Sequence, residues 1–277
     1  MSQGRLIVCA TPIGNLGDIS ERLRVALASA DVIYAEDTRR TAKLLNHLAV
    51  SAPMRSLFVG NEAVRGDELV EAVADGQTVV IVSDAGMPTV SDPGADAIRR
   101  VREAGLPIVV VPGPSAVTTA IAVSGFGGDR FVFEGFLPRR GRERNDRLDA
   151  LGSEKRAVVL FASPRRLPKD LSDLREACGG EREVAVTREL TKLHEEVWVG
   201  PLDEAVFRFG DEVKGEVTLV LGPIELDAPS LESAVSRARS LVSEGVSVSE
   251  AARSTASELG VSRRALYQAL LTDDASS

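Results

Sequence analysis

Four short segments of this chain combine glycine, proline and polar side chains at spacings that could hold a small ligand. They are residues 11–18 (TPIGNLGD), 35–40 (AEDTRR), 83–94 (SDAGMPTVSDPG) and 112–116 (PGPSA). Each follows or ends an apolar run that the pattern predicts to be a β-strand. Ligands of open α/β sheets bind at the carboxyl ends of the strands. The four segments together therefore form a candidate binding site.

The side chains of these segments indicate what the site could bind, although simpler interpretations stay open. Asp84 could accept hydrogen bonds from ribose hydroxyls, and Ser115 lies where the N–H groups at a helix start favour an anionic group. Alternatively, residues 11–18 form only a tight turn, Asp92 is only the N-cap of the next helix, and the charges of residues 36–40 only pair with one another.

The elements that must position these segments follow from the hydrophobic pattern. In the first half, strands are predicted at residues 6–10, 31–35, 78–82 and 107–111, and helices at 20–30, 68–74, 92–104 and 115–124. Continuous Val and Ile runs without polar alternation indicate strands buried on both faces of a mostly parallel sheet. The first half is therefore predicted to be an α/β domain.

The second half predicts a mixed sheet, followed by a helical tail. Its strands are expected at residues 130–136, 157–161, 183–188 and 217–221, and its helices at 142–153, 167–178 and 202–209. The tail predicts helices at 231–244, 249–259 and 262–270, which could form a helix-turn-helix or a plain helical bundle. We therefore predict domains at residues 1–125, 126–225 and 226–277.

Composition and charge narrow the class of protein. The 277 residues carry a formal charge of −8, which argues weakly against binding nucleic acid by bulk charge but leaves room for a local basic surface. Two cysteines and two histidines are too few for a disulfide framework or a His/Cys metal site, so no metal is predicted. Without a signal-like or membrane-spanning pattern, we expect a cytoplasmic protein with no membrane partner.

One segment of the second half could supply the basic surface. Residues 137–147 hold five arginines against two acidic residues, and two further arginines follow at 165 and 166. Guanidinium groups suit bidentate contacts with phosphate, although a solvated charged helix would have the same composition. The candidate phosphate contacts are Arg139, Arg140, Arg142, Arg144, Arg165 and Arg166.

In this order and spacing, the segments resemble a known superfamily. Residues 11–19, 35–39, 83–94 and 112–116 are continued by 133–139 (FEGFLPR), 188–196 (RELTKLHEE) and 214–220 (KGEVTLV). Together they resemble the tetrapyrrole methylases, which are S-adenosylmethionine-dependent methyltransferases, and within them the ribosomal RNA small subunit methyltransferase I family. The likeness extends over roughly residues 5–222 and is weaker in the helical tail. One departure is Phe161-Ala162-Ser163-Pro164, where the family pattern has Glu in place of Ala162.

The resemblance implies a fold, a reaction and a set of partners. It implies two α/β domains with S-adenosylmethionine in the cleft between them, a homodimer, and a small C-terminal helical domain. It also implies methyl transfer to the ribose 2′-oxygen of a cytidine near the decoding centre of small-subunit (16S) ribosomal RNA or of the assembled subunit. The implied cofactor contacts are Pro12, Asp84, Gly86, Met87, Ser115, Ala116, Phe161, Leu190 and Thr218.

Candidate catalytic residues follow from the chemistry of that reaction. A ribose hydroxyl is a weak nucleophile, which benefits from a base or from a cation that stabilises alkoxide character. Glu189 and Lys192, just after a predicted strand, are the candidates, with Arg39 as a partner. A structural ion pair between Glu189 and Lys192 is the competing interpretation.

Two rival functions share the same fold. A C-methyltransferase of a corrinoid or porphyrin precursor would need an apolar pocket for a macrocycle, and the scarcity of aromatic residues offers little support for one. A non-catalytic nucleotide- or ribosome-binding protein is the rival from another class, but the intact ligand segments argue against it.

Overall fold

The computed structural model describes residues 4–211, 213–224 and 231–274. Its contacts divide the chain into two units, residues 1–223 and residues 224–277. The predicted domain boundary at 225/226 lies outside the described residues. The three-part division at 125/126 and 225/226 stays a prediction.

The first sheet is entirely parallel, as its sequence predicts. Its strand order is β3-β2-β4-β1-β5. Apolar side chains cover both faces: Leu6 and Val8 pack with one cluster, and Ile7 and Cys9 pack with another. Its elements are β1 (Arg5–Cys9), α1 (Glu21–Ala28), β2 (Val32–Ala35), α2 (Thr38–His47), β3 (Met54–Ser56), α3 (Glu62–Ala74), β4 (Thr78–Val82), α4 (Ala95–Glu103), β5 (Ile108–Val111) and α5 (Ala116–Ser124).

Strand β5 departs from the expectation that every strand is buried on both faces. Ile108, Val109 and Val110 are 37%, 39% and 51% exposed, because β5 lies at the edge of the sheet and pairs only with β1 among the described residues. An apolar run thus predicted the strand correctly but not its position in the sheet.

The second sheet is mixed, which confirms the prediction for this half. The strand order is β6-β7-β10-β8-β9, in which β6 and β7 are parallel and the other pairs antiparallel. A core of leucines, including Leu160, Leu171 and Leu219, lies against its helices. The elements are β6 (Phe131–Phe136), α6 (Arg142–Ser153), β7 (Ala157–Ala162), α7 (Leu167–Cys178), β8 (Glu183–Arg188), β9 (Glu196–Pro201), α8 (Leu202–Arg208) and β10 (Val217–Leu221).

Strand β6 contains an irregularity that matters for the site. Phe133 pairs with Val159 and Gly135 pairs with Leu160, so Glu134 is an extra residue in the ladder. Gly135 has φ +69°, a left-handed conformation that glycine adopts without strain. A β-bulge of this kind turns the next side chain onto the other face of the strand.

The tail folds into three helices, α9 (Leu231–Ser243), α10 (Val248–Leu259) and α11 (Arg263–Asp274). Their small core contains Ala234, Ala238, Ala252 and Leu266. Ser247 caps α10, because its hydroxyl accepts a hydrogen bond from the Glu250 N–H. Among the described residues, no helix is long and apolar enough to span a membrane.

The alternative interpretation of Asp92 as the N-cap of the next helix is wrong. Helix α4 begins only at Ala95, with Gly94 at the cap position. The Glu62 side chain, from the start of α3, instead accepts hydrogen bonds from the N–H groups of Gly94 and Asp96, at 3.0 and 2.8 Å. A carboxylate from another helix thus accepts the hydrogen bonds of the free N–H groups at the start of α4, and Asp92 does not cap this helix.

Candidate active site

A cavity of about 370 Å³ lies between the ends of the two sheets, within the first unit. The first sheet contributes Ile13 and the segments after β4 and β5, and the second sheet contributes residues from β7, β8 and β10. Seven residues of the predicted cofactor set line this cavity: Gly86, Met87, Ser115, Ala116, Phe161, Leu190 and Thr218. The fold therefore brings together segments that are far apart in the sequence.

Two residues of that set, Pro12 and Asp84, do not line the cavity, and a cofactor contact for them stays a prediction. Pro12 lies between Thr11, which exchanges backbone hydrogen bonds with Gly86, and Ile13, which does line the cavity. Asp84 accepts a hydrogen bond from the Asp37 N–H at 3.0 Å and pairs with Arg40 at 3.3 Å. The geometry gives Asp84 the role of holding the segment after β4 against the segment after β2.

Asp92 is a cavity residue whose carboxyl group is strongly perturbed. Burial, with the charges of Glu36 and Asp84, raises the pKa of Asp92 to about 7, and a hydrogen bond with Ser83 only partly opposes this. Burial and the charge of Asp84 also raise the pKa of Glu36. Within the described ranges, no group of three or more His, Cys, Asp or Glu side chains is arranged to hold a metal ion.

The predicted catalytic pair is an ion cluster with a third member, Glu216. The Lys192 ammonium lies 2.8 Å from Glu189 Oε1 and 2.8 Å from Glu216 Oε2. Glu189 Oε1 also accepts a hydrogen bond from the Glu216 N–H, at 2.8 Å. Since Glu216 lines the cavity, the cluster is in contact with the candidate cofactor pocket.

The protonation of this cluster follows from its contacts. The hydrogen bond from Lys192, followed by that from the Glu216 N–H, lowers the pKa of Glu189. Burial alone would lower the pKa of Lys192, but its hydrogen bonds to Glu189 and Glu216 raise it overall. The pair is therefore a carboxylate beside an ammonium group, and the lowered pKa makes Glu189 a weaker base than an ordinary glutamate.

The backbone that carries the cluster is strained. Glu189 and Thr191 have φ values of +52° and +68°, in the left-handed region that is unfavourable for residues with a Cβ. The Thr191 hydroxyl is buried without a hydrogen-bond partner among the described residues. Strain of this kind persists only where the surrounding structure enforces it, and it is frequent at functional sites.

Gly14, in the segment after β1, makes room for Lys192. A Cβ built on Gly14 would lie 2.5 Å from Lys192 Cγ and 2.6 Å from Lys192 Cε. The aliphatic part of Lys192 therefore crosses the backbone of Gly14. This contact explains why the turn after β1 contains glycine at this position, and it joins the two sheets beside the cavity.

The third predicted catalytic residue, Arg39, lies apart from this cluster. Its side chain is 88% exposed and forms an ion pair with Asp37 at 2.8 Å. Hydrogen bonds from Arg39 hold the pKa of Asp37 well below its usual range. No hydrogen bond or ion pair in the described part of the chain joins Arg39 to Glu189 or Lys192, so a catalytic role for it stays a prediction.

The predicted basic patch is smaller than the sequence suggested, and Arg144 must be removed from it. Arg144 is 3% exposed, and its guanidinium binds Asp170 at 2.7 Å and Asp173 at 2.6 Å. Those partners lie on α7, so Arg144 fixes α6 against α7 and cannot reach a phosphate. Arg166 is half-buried and donates to the carbonyls of Leu137 and Pro138 and to Asp170.

The remaining arginines are exposed. Arg142 forms only a 3.5 Å contact with Asp146 on the same helix. Arg139, Arg140 and Arg165 form no ion pair with the described residues. These three side chains define the free basic patch, which is available to a phosphate backbone.

Sequence reasoning missed several residues of the site: Gly14, Asp92, Phe136, Thr187 and Glu216. Asp92 was considered only as a helix cap, and Glu216 was recognised only as part of residues 214–220 (KGEVTLV), without a role of its own. The one usable signal was Gly135, directly before Phe136, because a glycine inside a strand pattern indicates a bulge. The others depend on contacts between distant segments.

Comparison with known proteins agrees with this geometry. Residues 5–206 match the family model for tetrapyrrole (corrin/porphyrin) methylases, and residues 229–274 match that for the RsmI C-terminal HTH domain. The latter match favours the helix-turn-helix interpretation of the tail over a plain helical bundle. Among solved structures, diphthine synthase aligns with a TM-score of 0.62 at 17% identity over 79% of this chain and 89% of that one, which shows the shared fold.

Curated relatives cover nearly the whole chain. The ribosomal RNA small subunit methyltransferase I of Mycobacterium tuberculosis is 45% identical over 98% of this chain and 96% of its own length. The proteins of the same name from Synechocystis and Escherichia coli O157:H7 are 42% and 37% identical, each over 96% of this chain and 96% and 94% of their own lengths. The chain therefore belongs to the ribosomal RNA small subunit methyltransferase I family of tetrapyrrole methylases.

Proposed function

We propose that this protein transfers a methyl group from S-adenosylmethionine to the ribose 2′-oxygen of a cytidine in small-subunit ribosomal RNA, near the decoding centre. The observation that carries the proposal is the cavity where seven predicted cofactor contacts meet beside the Lys192 cluster. The names of the full-length relatives support the RNA substrate. They do not favour the alternative, a corrinoid or porphyrin precursor.

The residues of the cavity fit the cofactor. Its volume lies within the range of small-molecule sites, and its walls are mainly apolar, with Ile13, Met87, Phe161 and Leu190 among them. Ser115 precedes α5, whose free N–H groups and dipole favour a carboxylate. When bound, S-adenosylmethionine supplies a methyl group on a positively charged sulfur.

The Lys192 cluster would act on the acceptor hydroxyl. Methyl transfer is an in-line displacement, so correct placement of the two reactants supplies much of the rate enhancement. The hydroxyl proton passes to solvent water as the oxygen takes the methyl group, and the Lys192 ammonium can stabilise the negative charge that develops on the oxygen as it is deprotonated. Glu189 and Glu216 hold the ammonium in place. We therefore assign Lys192 the role of the cation and Glu189 a positioning role rather than that of the base.

The free basic patch would hold the RNA backbone. Arg139, Arg140 and Arg165 can each contact a phosphate, and each neutralised phosphate increases the salt dependence of binding. Replacing all three with Glu should lower the affinity for small subunits and reduce the salt slope by about three. Cofactor affinity should not change, because none of the three lines the cavity. An unchanged salt slope would contradict this role.

The assembly and location of the protein complete the proposal. A homodimer is supported by the apolar edge strand β5, whose exposed Val110 lies next to α1. Sedimentation equilibrium should give a dimer that Val110→Lys dissociates, and a monomer for the unaltered protein would contradict it. We place the reaction in the cytoplasm.

The deciding experiment is transfer of a labelled methyl group from S-adenosylmethionine to unmethylated small ribosomal subunits, with mass mapping of the product nucleotide. Label on a cytidine 2′-oxygen is expected. Label on a base carbon, or no transfer to subunits or free RNA, would refute the proposed reaction. Lys192→Met should lower kcat at least tenfold, whereas Lys214→Met, on the exposed segment near Glu216, serves as the matched control and should leave kcat unchanged.

A further inference from the structure

Phe136 is an aromatic side chain exposed at the mouth of the cavity. Its side chain is 55% exposed although it lines the same cavity as Phe161 and Glu216. A large apolar side chain that remains in water beside a ligand site has surface available for a partner. Phe207 is more exposed but does not line the cavity, so it is the combination of exposure and a place in the cavity wall that makes Phe136 a candidate ligand contact.

The β-bulge in β6 is what directs Phe136 to this place. In a regular strand, side chains three apart point to opposite faces, so Phe133 and Phe136 would lie on opposite faces of the sheet. The extra residue, Glu134, changes this register, and Phe136 pairs with Phe161. Gly135, at the bulge, faces the segment after β4, since a Cβ there would lie 3.4 Å from Ser91 Oγ.

The ring of Phe136 belongs to a row of three aromatic rings in contact. Its ring lies 5.4 Å from that of Phe161, and Phe161 lies 5.0 Å from Phe133 in an edge-to-face arrangement. The contact with Phe161 holds the ring of Phe136, and about half of the residue remains exposed to solvent. A fixed aromatic ring with a free surface is the arrangement on which an unpaired nucleobase stacks.

The charges near Phe136 match the same ligand. Arg139 and Arg140, members of the free basic patch, follow Phe136 by three and four residues and are exposed. A nucleotide whose base stacked on Phe136 would therefore have its backbone close to guanidinium groups. Enzymes that modify a nucleotide commonly take it out of its stack and hold the base against aromatic or apolar side chains.

We propose that Phe136 is the platform on which the base of the target nucleotide, or of its immediate neighbour, stacks when the ribose enters the active site. This inference rests on the proposed RNA substrate. It assigns to Phe136 the recognition of an unpaired nucleobase and not of the cofactor. Stacking accepts any base, so Phe136 positions the nucleotide and does not select cytidine over other bases.

The test compares Phe136→Leu, which keeps an apolar side chain, with Phe136→Tyr, which keeps the ring. In methyl transfer to unmethylated small subunits, Phe136→Leu should raise the KM for subunits by on the order of tenfold, because one stacked base is lost. Phe136→Tyr should restore the KM to within about twofold. The affinity for S-adenosylmethionine, measured by calorimetry, should be the same in all three proteins.

Phe207→Leu is the matched control. Phe207 is 91% exposed on α8 and does not line the cavity, so this variant should have the KM of the unaltered protein. If Phe136→Leu behaves like Phe207→Leu, or if it weakens cofactor binding as much as it raises the KM, the inference is wrong. If the unaltered protein transfers no methyl group to subunits, the proposed function fails, which is a different result.

Discussion

Replacing Asp92 with Asn should change how the stability of the protein depends on pH. In the folded protein the pKa of Asp92 is raised from 3.8 to about 7, first by burial and then by the charge of Glu36. The folded state therefore binds this proton more tightly than the unfolded state does. The free energy of unfolding is highest below about pH 4, where Asp92 is protonated in both states, and it falls as the pH rises through about 7. Asn keeps the shape of a protonated carboxyl and does not ionise.

The size of the effect follows from this shift. Each pKa unit corresponds to about 1.4 kcal/mol, so a shift from 3.8 to about 7 sets an upper limit of about 4 kcal/mol. Asp92 keeps partial contact with water, which screens its charge and reduces the contribution to about 2 kcal/mol. Asp92→Asn should therefore be about 2 kcal/mol more stable than the unaltered protein at pH 8 and equally stable at pH 4.

The measurement is urea unfolding without cofactor, followed by circular dichroism at several pH values between 4 and 8. Asp96→Asn provides the control, since Asp96 lies on the adjacent helix but its pKa is lowered by hydrogen bonds from Arg100 and Arg99. That variant should lose stability at pH 8 instead of gaining it. A difference between Asp92→Asn and the unaltered protein that stays constant from pH 4 to pH 8 would refute the reasoning.

Three further predictions concern other parts of the first unit. Arg144→Met should destabilise the protein by about 3–5 kcal/mol in urea unfolding, because it leaves Asp170 buried without its partner; the exposed Arg142→Met is the control, and equal effects would contradict the argument. Gly14→Ala should lower kcat and leave cofactor affinity unchanged, since the new Cβ would displace Lys192; Gly128→Ala, in open space, should do neither, and normal turnover in Gly14→Ala would contradict the placement of Lys192. Burial raises the pKa of the Cys9 thiol to about 12, so iodoacetamide at pH 8 should modify Cys9 only in unfolded protein, as mass spectrometry can detect; rapid modification of the folded protein would exclude this burial.

Local sequence predicted the elements whose apolar pattern is strong. The bounds of β4, α6, α7, β8 and β10 agree with the structure. The strands among them are apolar runs buried on both faces, as Val79 and Val80 of β4 show by packing into different clusters. The sequence missed β3 and β9, which are sheet-edge strands whose existence depends on pairing with β2 and β8. It also missed α2, in which polar residues outnumber the three that are buried.

Residues of the site could be predicted where the composition of a single turn indicates ligand binding. Gly86 and Ser115 lie in turns whose composition is unusual by itself, and both line the cavity. The burial of Arg144 was not predictable, because the acidic residues that neutralise it lie on another helix. The same holds for Glu216, which meets Lys192 only because β10 pairs with β8.

The passage of Lys192 over Gly14 has a consequence for any attempt to divide this protein. Gly14 follows a strand of the first sheet, while Lys192 and its two carboxylate partners follow or precede strands of the second. A chain cut between the sheets would yield two fragments, neither with a complete active site, and would divide the cluster that joins Ile121 of α5 to Val159 and Val220 of the second sheet. Activity recovered on mixing such fragments would therefore report on the docking of the two sheets, with the Lys192 side chain as the contact that signals correct assembly.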